Sequence, residues 1–247
     1  MRAGQTTTLF RKGISVTDYP ENTTHWRTVL EEATLIGFRI CPFATRVQIV
    51  ANLKNINLRT EYIDLVDKPA WFLKLSPTGT VPAIQVGGRF IFESVVIADL
   101  IDTLTGEALY PKEPLEKFQN KSWIEYASTV IRSQYMMIMA RDLNSFEIQK
   151  GSLSKCLEKI EGAIAGTPYF NGPTISMVDA VYAPVLYRFL FLESRYGINI
   201  LHKHPNIRMW AEAMTTHPSV VAIHGDDFST QLIEHMKSNG SVLTPRE

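Results

Sequence analysis

Ile40-Cys41-Pro42-Phe43-Ala44-Thr45-Arg46 is the stretch from which the rest of this chain is read. Upstream, Ala33-Thr34-Leu35-Ile36 has the length and apolar character of a short buried strand. Downstream, Phe43, Val47, Val50 and Ala51 recur at helical spacing. A helix therefore begins at or just after Cys41. Pro42 suits its first position, where a missing N–H costs nothing and a fixed φ fits the turn. Cys41 then stands at the cap, facing unpaired backbone N–H groups and the positive end of the helix dipole. That environment favours thiolate over thiol, and cysteines so placed have pKa values lowered from about 8.5 to roughly 3.5–7.5. The alternative fate of a free cysteine is a small buried core residue. The Pro42 cap and the motifs downstream favour the functional reading.

The second cysteine, Cys156, lies more than a hundred residues away, and position 44 is Ala. The chain thus has no C-x-x-C pair with a built-in resolving thiol. If Cys41 attacks a disulfide or an electrophile, the second thiol must come from solution, and glutathione is the obvious supplier.

Composition sets the outer bounds. The 247 residues suffice for one large domain or two modest ones. Lys plus Arg (25) equals Asp plus Glu (25), with no block of like charge. That balance argues against nucleic-acid binding and against a polybasic membrane patch. Two cysteines make no disulfide framework, which suits a reducing compartment. No apolar run approaches the ~18 residues of a membrane span, and the first residues lack a signal-peptide core, so the cytoplasm is expected.

Along the chain, residues 1–32 read as a weakly patterned N-terminal extension. Lys54-Asn55 offers a helix stop, and Leu58 to Leu65 reads as an edge strand. A short helical segment opens near Pro69. Ser76-Pro77-Thr78-Gly79-Thr80-Val81-Pro82 is a structured loop, Ala83 to Val86 a strand, Gly87-Gly88 a hairpin turn and Arg89 to Phe92 the return strand. Ser94 is a good N-cap for the helix striped by Ile97, Leu100, Ile101 and Leu104. Thr105 to Pro114 is a break, and beyond it the patterning is helical. Trp123, Tyr126, Ala127, Val130, Ile131, Gln134, Met137 and Ile138 share one face of a long helix. A second helix ends near Gly166. Ser176 and Asp179 have capping-box spacing before the apolar run Ala180 to Leu192. Two further helices follow. The domains expected are the extension over 1–32, an α/β unit over 33–106 and an all-helical unit over 115–240.

This order of thiol turn, Val-Pro before a hairpin, Glu-Ser at a helix start and helical second half resembles the cytosolic glutathione transferase superfamily. Cys41-Pro42-Phe43-Ala44 and Asp67-Lys68-Pro69-Ala70-Trp71-Phe72 look like its cysteine-type omega class, and His204-Pro205 through Val220 looks like the family's closing helix. The resemblance implies a thioredoxin-like glutathione-binding domain followed by an all-helical one. It implies a catalytic Cys41, glutathione as co-substrate, no metal, a small-molecule acceptor and a homodimer. Val81-Pro82 resembles the Val–cis-Pro step that pairs with the cysteinyl backbone of glutathione. Glu93 and Ser94 match the pair that holds its γ-glutamyl end. Lys68 matches the lysine meeting its glycyl carboxylate, and Phe43 would pack beside the thiol. Arg46, one turn along, is expected in a structural ion pair, and Ser176 with Asp179 in helix capping.

A cysteine in place of the family's tyrosine or serine invites a covalent intermediate. Thiol transfer, dehydroascorbate reduction or thioether cleavage is then favoured over conjugation of electrophiles, and over a non-catalytic interaction module on the same fold. Trp123, Tyr126 and Val130 are candidates to line the acceptor pocket.

Overall fold

A computed structural model gives the structure, which describes residues 23–106, 109–225 and 227–244. The first part of the expected extension, with Pro20, lies outside the described residues. Its last part forms α1 (Thr23–Glu31), anchored by the fully buried Leu30.

Apolar alternation and turn chemistry build a four-stranded sheet in the order β2-β1-β3-β4. β1 (Thr34–Gly37) is its buried inner strand, parallel to β2 (Arg59–Tyr62) and antiparallel to β3 (Ala83–Val86). β2 is the charged edge strand, shorter than expected. β3 turns through Gly87 and Gly88, both at positive φ, into β4 (Arg89–Phe92). The glycines supply that left-handed pair of conformations without a Cβ clash.

α2 (Pro42–Leu53) leaves β1 through the Cys41 turn, and every residue from Ala44 to Ala51 is buried. It sits against the sheet, against α4 (Ser94–Leu104) and against α7 (Met177–Tyr196), so it has no solvent face to make polar. Gly37 is required where α2 crosses β1, since a Cβ there would lie 3.1 Å from that of Ala44. Asn55 ends the α2 exit at φ 55°, as its αL tolerance predicts. The short α3 (Ala70–Leu75) starts at Pro69.

The helical half comprises α5 (Pro114–Ile138), α6 (Leu143–Glu161), α7, α8 (Pro205–Thr216), the short α9 (Pro218–Val221) and α10 (Asp227–Ser238). Two helix boundaries differ from expectation. α6 stops at Gly162 rather than near Gly166. The cap of α4 is Glu93 at φ 69°, with Ser94 in the first helical position. Asp179 ties α7 down. Its carboxylate accepts from the N–H (2.7 Å) and hydroxyl (2.6 Å) of Ser176, from the Phe170 N–H (2.8 Å) and from the Trp210 indole (2.7 Å). That is the capping role expected of this pair. The larger apolar cluster runs from β1 and α2 through α5 and α7 to α10, and a smaller one gathers Ile36, Ile63, Phe72 and Ala83.

Candidate active site

Strand register sets the site. Gly37 of β1 pairs with Tyr62 of β2, Ile36 pairs with Ala83 at the start of β3, and Ala83 pairs with Phe92 at the end of β4. The Cys41 turn, the segment carrying Lys68, the Val81-Pro82 step and Glu93-Ser94 therefore all leave the sheet at the same end. Backbone pairing alone gathers residues that are over fifty positions apart in sequence.

Cys41 caps α2, with φ −72° and ψ 116°. It retains partial contact with solvent and faces a cavity. No cap hydrogen bond closes on its sulfur. The N–H groups of Ala44 and Phe43 and the guanidiniums of Arg188 and Arg46 favour its thiolate, but burial outweighs them and pushes the thiol up from its ordinary value. This corrects the expectation of a lowered pKa. The helix mouth is in place, and the surrounding hydrocarbon costs the anion more than the mouth returns.

Arg46 makes no ion pair among the described residues. Its Nε donates to Ser94 Oγ at 2.9 Å, Nη2 donates to the same oxygen, and Nη1 is buried without a partner. The guanidinium lies 4.9 Å from the Phe43 ring centroid. Desolvation brings its pKa down to about 10, opposed by Cys41, Glu125 and Glu93. Ser94 is thus an acceptor for a buried cation, tying the start of α4 to the Cys41 helix.

The Val81–Pro82 peptide is cis. Pro82 is buried and Glu93 exposed. Lys68 Nζ donates to the Gly79 carbonyl at 2.9 Å, bracing the loop that precedes the cis step.

The cavity beside Cys41 has a volume of about 270 Å³. Its walls are mostly apolar, from Phe38 before α2, Ile131 and Ile138 on α5, and Leu232 on α10. Trp123, Tyr126 and Val130 do not line it. Trp123 packs against Phe170, Tyr126 against Cys156, and Val130 is fully buried. The α5 residues that do line it lie further along the helix, at Ile131, Arg132, Tyr135 and Ile138. Sequence reading also missed Arg188, which stands in the cavity wall with its Nη2 donating to the Ile40 carbonyl. The available signal was its isolation as a charge inside the apolar run of α7.

α10 closes the cavity. His235 stacks edge-on to Phe38, with centroids 5.8 Å apart, and the chain after α10 is bound to the end of α5 through Ser241 Oγ to the Ile138 carbonyl (2.6 Å) and the Val242 N–H to the Ala140 carbonyl (2.8 Å). No group of metal-ligating side chains occurs among the described residues, and no helix among them is long and apolar enough to cross a membrane.

Residues 40–104 match the glutathione S-transferase N-terminal domain and residues 132–213 its C-terminal domain. Glutathione S-transferase omega-1 of Sus scrofa is 32% identical over 192 residues, covering 76% of this chain and 78% of that protein. Pyrimidodiazepine synthase of Drosophila melanogaster is 30% identical over 202 residues, covering 77% and 79%. The crystal structure of glutathione transferase Omega 3C from Trametes versicolor superposes with a TM-score of 0.73 at 20% identity, covering 88% of this chain and 96% of that one.

Proposed function

Given that the chain belongs to the glutathione S-transferase family and is an omega-like enzyme, we propose that it is a glutathione-dependent thiol transferase with Cys41 as its nucleophile. The observation that carries this reading is a cysteine at a helix N-terminus, open to an apolar cavity and flanked by two guanidiniums that no carboxylate pairs among the described residues.

Glutathione lies across the sheet end. The backbone beside cis-Pro82 and Val81 pairs with its cysteinyl unit, Glu93 takes its ammonium and the start of α4 at Ser94 its γ-glutamyl carboxylate. Lys68 meets the glycyl carboxylate, and Phe43 shields the sulfur. The Cys41 thiolate attacks the glutathionyl sulfur of a mixed disulfide. The Cys41–glutathione S–S bond forms, the substrate S–S bond breaks and the released thiolate takes a proton from water. A second glutathione thiolate then attacks the glutathionyl sulfur, restoring the Cys41 thiolate and releasing oxidised glutathione. The net change is one mixed disulfide and one glutathione converted to one thiol and one oxidised glutathione. A raised pKa leaves less thiolate at neutral pH, but each thiolate is a stronger nucleophile.

The partner of each step is a small molecule, and the working unit is a homodimer. Supporting the dimer, α5 leaves Leu115 (79% exposed) and Phe118 (65%) in water. Comparing wild type with Cys41→Ala and Cys41→Ser in mixed-disulfide reduction tests the assignment. Both variants are expected to lose activity, and unchanged reduction by Cys41→Ala would refute it.

A further inference from the structure

Arg188 is 3% exposed and belongs to the cavity wall, yet no carboxylate pairs with it among the described residues. Its Nη2 donates to the Ile40 carbonyl, and its Nε is buried without a partner. No Asp or Glu lines the cavity, whereas Arg132 adds a second cation at its rim. A buried cation without an anion is costly, and proteins seldom retain one unpaired. Among the described residues, the groups of this chain whose ionised forms favour its charge are Cys41 first and Tyr135 second, and neither is a carboxylate. Burial holds Cys41 largely as the neutral thiol, and once bonded to glutathione its sulfur is neutral as well, so the guanidinium is left without a counter-charge while the acceptor portion of the substrate occupies or leaves the cavity.

Resting on the thiol-transfer reading above, we propose that Arg188 makes this cavity selective for an acceptor thiol with an apolar, ring-sized body and a carboxylate. The volume, near the lower end of ligand pockets (~300–1,000 Å³), fits a single ring better than a fused system or a peptide. The phenyl-sized walls of Phe38, Ile131 and Leu232 take the ring. The planar fork of Arg188 takes the carboxylate, a geometry lysine would not reproduce.

The test uses two isosteric substrates, the mixed disulfides of glutathione with para-sulfanylbenzoate and with para-sulfanylbenzamide, each rate being divided by its uncatalysed rate with glutathione. Wild type is expected to favour the benzoate in kcat/KM by roughly tenfold or more, mostly through KM. Arg188→Met lowers both rates, because the thiolate loses a cation, but its benzoate-to-benzamide ratio falls to about one. Arg188→Lys retains part of the preference. Arg188→Gln, which keeps a donor for the Ile40 carbonyl, replaces the Met variant if that one fails to fold. A wild-type ratio near one, or a ratio that survives loss of the Arg188 charge, overturns the selectivity while leaving thiol transfer standing. Turnover of neither compound overturns both.

Discussion

The two sides of Cys41 are built from different materials. On the sheet side the chain presents backbone: a cis Val81–Pro82 edge, the start of α4 and the turn at Glu93, all fixed by strand register. On the helical side it presents side chains from α5, α7 and α10, whose apolar surfaces meet above the thiol. In the function proposed above, that backbone, with the Lys68 and Glu93 side chains beside it, meets the part common to every reaction cycle, since backbone donors and acceptors cannot be changed by substitution. Side chains recognise what varies. On that proposal the fold separates a constant co-substrate from a changeable acceptor, with one sulfur at the boundary.

The largest effect should come from that boundary. Cys41→Ser should reduce thiol transfer by at least about a thousandfold in steady-state kinetics, with little change in thermal stability. Residual activity close to wild type would dissolve the distinction between the two sides.

Next is a stability difference that falls on the helical side alone. His224 is buried and stacked 3.8 Å from Tyr187, and burial lowers its pKa to about 4. In the folded chain it stays neutral where the unfolded chain would be protonated. The unfolded state therefore binds more protons between about pH 6.5 and about pH 4, and stability is lost as pH falls through that window. The loss is about 2 kcal/mol between about pH 7 and about pH 5. Urea unfolding at both pH values should show it, and His224→Phe, which keeps the stacking, should flatten it. His235, also lowered by burial, acts in the same direction.

A smaller lever is the thiol itself. Because burial holds the Cys41 thiol above its ordinary value, the transfer rate should climb with pH through neutrality by about tenfold per unit. It should level only beyond the titration of an exposed cysteine. Arg188→Met should move that plateau higher still. A plateau below pH 7 would show that the helix mouth wins after all.

The smallest expected change is on the sheet side. Ser94→Ala removes the acceptor of the buried Arg46 guanidinium and should raise KM for glutathione by roughly five- to tenfold, with kcat less affected. A larger change in acceptor KM than in glutathione KM would mean that Arg46 serves the cavity instead.

The same contrast explains what the sequence could tell. Pro42 after Cys41, Gly87-Gly88 between two apolar tetrads, and Ser176 three residues before Asp179 are local rules, each readable within a few positions. They yield the strands, the hairpin, the capping box and the sheet-end cluster. The cavity obeys no local rule. Ile131, Arg188 and Leu232 meet only after α5, α7 and α10 pack, and a helical stripe cannot say which of its residues faces a neighbour and which a void. Trp123, Tyr126 and Val130 satisfied the stripe and filled the core. Arg46 shows the same limit in charge: its partner is a hydroxyl forty-eight residues away, and the structural ion pair expected of it does not form among the described residues. The sign of the Cys41 shift needed the depth of burial, which spacing does not encode.

The central claim is that Cys41 becomes covalently bonded to glutathione during turnover. Intact and peptide mass spectrometry after exposure to oxidised glutathione tests it most directly. The account predicts one glutathionyl group, on Cys41, that fresh reduced glutathione removes. A free Cys41 under those conditions, or an adduct on Cys156 in its place, would contradict it.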